Sequence, residues 1–134
     1  MKINYVALYA ITLGIFLALD GMWLGLVAKN LYASQLKGLM TDNVRWVGAG
    51  LFYALFIVGL LVFVIAPALQ QQNLSFALTR GALFGLVTYA TYDLTNYATL
   101  KGFPLTIVGI DLLWGTLLST FVCSGAYSLY VRFF

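Results

Sequence analysis

The sequence predicts an all-α membrane protein: four transmembrane helices in an up-down bundle, with a short interfacial amphipathic helix after the first. Three observations carry that expectation. Of 134 residues, 63% are hydrophobic and 8% are charged, whereas a soluble domain carries about 25% charged residues. The apolar residues gather into four runs, each longer than the about 20 residues that cross a hydrocarbon layer. The bases lie near the ends of those runs, where lipid head groups would meet them.

One unit fills residues 1–134. The first run covers about 5–27 and is interrupted by Asp20. It follows Lys2, as the apolar stretch of a secretory signal follows a base, but it is too long and lacks a small-x-small cleavage site. It therefore reads as a span. Between about 30 and 41, Leu31, Tyr32, Leu36, Leu39 and Met40 recur at helical spacing among Lys37 and Ser34, which suits a helix lying in the membrane surface. Thr41-Asp42-Asn43 offers a cap for a second span over about 44–66, with Arg45 and Trp46 as interfacial anchors. Pro67 is expected to end that span, because it cannot continue the hydrogen-bond ladder. Gln70 to Asn73 form a polar turn, and Ser75 is the expected cap of a third span over about 76–100. Pro104 then opens a fourth span, about 104–131, where its missing donor costs nothing.

Four crossings put both termini on one side. Lys29, Lys37, Arg45 and Lys101 face Lys2, Arg80 and Arg132 across the membrane, a balance too even to fix the orientation. Gly21 and Gly25, like Gly81 and Gly85, have the spacing that lets helices approach closely. They suit packing within one subunit or the seam of a homodimer.

Composition excludes some chemistry. The chain has no His and no Glu, so His-ligated metals and His-dependent nucleophilic catalysis are absent. The single Cys123 forms no internal disulfide and reads as a packed thiol. The net charge of +3 is scattered, which gives no nucleic-acid patch. No cofactor is evident. The expected partners are the lipid bilayer, a second copy of the chain, and an unknown small molecule or lipid.

The acids are the informative feature. Asp20 and Asp93 each precede the end of their run by about two helical turns, and Asp111 follows the start of its run by the same amount. In an up-down bundle all three then lie at one depth, about 10 Å below one surface at 1.5 Å per residue. An Asp at mid-helix costs about +2.5 to +3.5 kcal/mol on insertion, so three should turn inward and share water, a cation or a proton. Tyr89, Asn96 and Tyr97 extend the polar face around Asp93 by three- and four-residue spacing. Trp23 and Trp114 stand one turn from Asp20 and Asp111, Trp23 nearer the surface and Trp114 deeper. Three functions stay open. One is a site that binds or translocates a proton, a cation or a small polar molecule. Another is an enzyme acting on a lipid or amphiphile, with Asp20, Asp93 and Asp111 around a divalent cation or as acid and base. The third is a structural or accessory subunit whose acids only fix packing.

Tyr92-Asp93-Leu94-Thr95-Asn96, within the run from Ala82 to Thr99, carries a resemblance, together with Asp20-Gly21-Met22-Trp23, Leu31-Tyr32 and Asp111-Leu112-Leu113-Trp114-Gly115. The chain resembles the bacterial membrane family known as domain of unknown function 2177 over nearly its whole length. That resemblance implies a small four-helix protein of the bacterial inner membrane and no particular activity. It also implies a Trp beside Pro104, where this chain has Phe103 and Leu105, so no role for such a Trp carries over.

Overall fold

A computed structural model of the chain describes residues 2–41 and 43–134. Among them are five helices and no strand: α1 (Tyr5–Val27), α2 (Lys29–Gln35), α3 (Trp46–Gln70), α4 (Leu74–Thr99) and α5 (Leu105–Phe133). Three of these, α1, α3 and α5, are long and apolar enough to cross a membrane. α4 has 26 residues but is less apolar, because Arg80, Asp93, Asn96 and a row of threonines lie within it.

Local chemistry sets the ends. Asn4 caps α1 by accepting from the Ala7 N–H at 3.1 Å. Asn73 caps α4 by accepting from the Phe76 N–H at 3.1 Å, so the cap is Asn73 and not Ser75, which lies inside the helix. Asp42 of the expected Thr41-Asp42-Asn43 cap lies outside the described residues. Arg45 precedes α3 without a side-chain cap bond. α2 ends at Gln35, short of the expected 41, and turns follow with Gly38 at φ +90°, a conformation glycine adopts without strain.

Pro67 does not end α3. The turn before it, Leu61–Ile65, is π-helical, with the Ala66 N–H donating to the Leu61 carbonyl five residues back. A widened turn makes room for a proline ring that would strike the carbonyl four residues back in a regular helix. The helix passes through and continues to Gln70. A second π turn, Trp23–Val27, closes α1, with the Ala28 N–H donating to the Trp23 carbonyl at 2.7 Å.

α4 and α5 form a tight antiparallel hairpin. A Cβ on Gly85 would lie 2.2 Å from the Gly115 carbonyl oxygen, and one on Gly81 would lie 3.1 Å from the Cys123 Cβ. The Gly81–Gly85 pair therefore serves packing within the chain. Gly21 and Gly25 do not: none of the described residues lies within 4 Å of a Cβ built on either. α1 runs antiparallel to α5, fixed at one end where the Asn4 N–H donates to the Tyr130 hydroxyl at 2.8 Å. Removing that acceptor in Tyr130→Phe is expected to cost about 0.5–1.5 kcal/mol, the worth of one hydrogen bond, read as a lowered melting temperature in detergent.

The core holds Phe16, Ile57, Leu60, Ile65, Leu69, Leu118 and Val122. The outer face is just as apolar. Val6, Leu26, Val47, Leu55, Phe63, Leu113 and Phe121 are each more than half exposed. Water would not tolerate so continuous an apolar surface, and lipid would.

Candidate functional site

The polar side chains collect at one end of the helices. Asp20 comes from the penultimate turn of α1, Tyr53 from α3, Tyr89 and Asp93 from α4, Asp111 and Trp114 from α5. α2 and the residue after it close this end by laying Leu31, Tyr32 and Leu36 against Phe103, Ile107 and Val108. The π turn falls where Trp23 leaves α1 to meet Trp114, as such turns often do at functional sites.

The two Asp-x-x-Trp segments are cross-wired. The Trp114 indole donates to Asp20 Oδ1 at 3.1 Å. The Trp23 indole donates to the Tyr32 hydroxyl at 3.2 Å, and that hydroxyl donates in turn to Asp111 Oδ1. The indole rings stack, with centroids 4.4 Å apart and planes 9° from parallel. The sequence sets these rings at different depths. Helical side chains lean toward their own N-terminus, so on antiparallel helices the two leans converge and the rings meet.

Each acid has a different environment. Asp20 is nearly buried and accepts from Trp114 and, at 3.3 Å, from the Tyr53 hydroxyl. Asp111 is half-buried and accepts from Tyr32. Burial, then the bond to Asp111, hold the Tyr32 phenol well above its ordinary pKa, so it stays a donor. Asp93 is fully buried, and neither of its oxygens has a donor among the described residues. Its neighbour is the Asp111 carboxyl, close enough for a hydrogen bond if one of the two carries a proton.

A cavity of about 400 Å³ lies in front of Asp20 and Asp111, within the range of small-molecule sites. Trp23, Trp114, Tyr32, Tyr53, Tyr89 and Tyr92 wall it, and no Lys or Arg among the described residues does. Asp93 stands behind Asp111. Asn96 is half-buried beside Tyr92, Tyr97 is 43% exposed, and neither lines the cavity. No three of His, Cys, Asp and Glu among the described residues are placed to hold a metal ion, so Asp20, Asp93 and Asp111 do not form a three-ligand cluster.

Tyr32 and Tyr53 bond to the acids and line the cavity, and the sequence does not single them out as site residues. The first looks like an interfacial anchor and the second like core filling. Only the pairing of Leu31-Tyr32 with the resemblance singled out either one.

These residues, from Asp20 to Trp114, lie inside the part of the chain that a family model matches. The match covers residues 5–128, and the family is described as "Predicted membrane protein (DUF2177)". The chain belongs to that family. DUF2177 proteins carry no assigned activity in that description, so the geometry must carry the functional argument. No curated protein and no solved structure matches the chain.

Proposed function

We propose that this protein is a four-span membrane protein that binds or translocates a small organic cation, exchanging it for a proton held between Asp93 and Asp111. The observation that carries the reading is a cavity walled by indoles and phenols, with two carboxylates and no base. Aromatic faces and carboxylates attract alkylammonium ions. A hard divalent ion would instead need about six oxygen ligands, and the site offers no three-acid cluster. The proton answers the other oddity. Two carboxyls that meet inside a protein, one of them with no donor, are reconciled when they share one proton. The groups near that pair are Tyr32 of α2, Tyr89 and Tyr92 of α4 and Asp20 of α1, with Tyr53 of α3 bonded to Asp20. None is a base that would neutralise the acids instead.

The fourth span in this reading is α4. Its hydroxyls lower its apolarity without leaving polar groups unpaired: Thr79, Thr88, Thr91, Thr95 and Thr99 each donate to the carbonyl four residues back. Arg80 reaches back over the Phe76 ring at 5.3 Å, toward the helix end. With four spans, residues of α1 and α5 that face outward meet lipid, in the bacterial inner membrane. A second copy would sit on the open Gly21–Gly25 face.

The test is binding of tetramethylammonium to the protein in nanodiscs, read by tryptophan fluorescence in a Trp46→Phe background. Saturable quenching is expected, with no response to the uncharged carbon isostere. Equal responses to both, or none to either, would overturn the proposal. Displacement of the ion by Mg²⁺ at comparable concentration would favour the divalent-cation reading instead.

A further inference from the structure

A second cavity, about 420 Å³, opens beside the first and is lined by Phe52, Thr88, Tyr89 and Tyr92. It lies between the first half of α3 and the middle of α4. Phe52, Tyr89 and Tyr92 line both cavities, so the two spaces share one wall. Their characters differ. The acid cavity holds Asp20 and Asp111, whereas the second offers almost only carbon, since the Thr88 hydroxyl is turned back onto the Phe84 carbonyl at 2.8 Å. Its outer rim is formed by Phe52 and Tyr92, 47% and 59% exposed, on the face that lipid would cover.

Resting on the organic-cation reading, we propose that the ligand is a single-tailed alkylammonium amphiphile. Its head sits before Asp20 and Asp111, and its tail lies in the cleft between α3 and α4, which it enters sideways from the bilayer. The adjacency of the two cavities across Phe52, Tyr89 and Tyr92 supplies the geometry. Charge narrows the class. Two carboxylates without a base repel a phosphate, so a phospholipid or a phosphocholine head is a poor fit and an ammonium without an anion is a good one.

Trimethylammonium ions with tails of one to eight carbons test this, in nanodiscs, by the same fluorescence signal. Each added methylene buried in the cleft is worth about 0.8 kcal/mol, roughly a fourfold gain in affinity. Thr88→Trp fills the cleft and is expected to flatten that gain, measured as the ratio of octyl to methyl affinity against wild type. The ratio removes partitioning into the lipid, which the variant shares. Because the variant could misfold, a photoreactive group at the tail end of the octyl compound provides a second measurement on the wild-type chain. Labelling is expected on peptides holding Phe52 and Thr88 to Tyr92. Octylphosphocholine is expected not to compete. If tetramethylammonium binds but the variant keeps the full octyl gain, or labelling falls elsewhere, or octylphosphocholine competes, the tail assignment fails and the cation site stands. If tetramethylammonium does not bind at all, both fail.

Discussion

Asparagine at position 111 is expected to weaken organic-cation binding severely, while asparagine at position 93 leaves binding in place and removes its dependence on pH. The two acids are neighbours, but only Asp111 faces the cavity; Asp93 is enclosed behind it. Asp111→Asn removes the charge that meets the ligand and gives Tyr32 a weaker acceptor. Close charge pairs couple by about 1.5 kcal/mol and upward, and at the low end of that range affinity should fall by roughly 10- to 100-fold. Asp93→Asn acts differently. Its amide supplies the N–H donor that a shared proton would otherwise supply, so Asp111 is left ionised and bonded. Wild-type binding should release a proton, and should weaken as the medium is acidified, because protonating the pair removes the counter-charge. In Asp93→Asn no proton is released. Calorimetry in buffers of different ionisation heat measures the proton directly. Proton release that persists in Asp93→Asn would place the exchanged proton somewhere other than between these two residues.

Much of this arrangement was written in the chain, and the rest was hidden for identifiable reasons. The apolar runs mark the helices because lipid and core demand the same residues. The acids stand out because nothing around them in sequence explains them. Tyr97 misled because its spacing from Asp93 is four residues, yet it is eight from Tyr89. At about 100° per residue that turns it some 80° from the tyrosine that does line the cavity, and it points outward. Pro67 misled because its effect on a helix depends on the turn before it, and a π turn leaves no mark in a run of Leu, Val, Phe and Ile. Tyr32 and Tyr53 are the deeper omission. Each becomes a donor to an acid only through packing between elements far apart in sequence: 79 residues separate Tyr32 from Asp111, and 33 separate Tyr53 from Asp20.

Alanine at Gly115 is expected to be strongly destabilising. Its Cβ would lie 2.2 Å from Tyr89 Cγ and 2.4 Å from Cδ1. These atoms are the root of the ring, so rotating the hydroxyl end gives no relief. Tyr89 must move or the helices must part, and parting also loosens the Gly85 contact one turn away. Overpacking of this kind costs about 1–3 kcal/mol. Between membrane helices close packing supplies much of the association energy, so the melting temperature in detergent should drop clearly. Gly21→Ala adds the same methyl where none of the described residues lies within 4 Å, and should leave stability almost unchanged. Tyr89→Ala in the Gly115→Ala background removes the colliding ring and should recover part of the loss, the non-additivity expected of residues in contact. The same clash reaches function, because Tyr89 lines both cavities. Gly115→Ala should therefore weaken tetramethylammonium binding even in the fraction that remains folded. Equal stability of Gly115→Ala and Gly21→Ala would mean that α4 and α5 do not meet at these glycines, and the wall between the two cavities would have to be built another way.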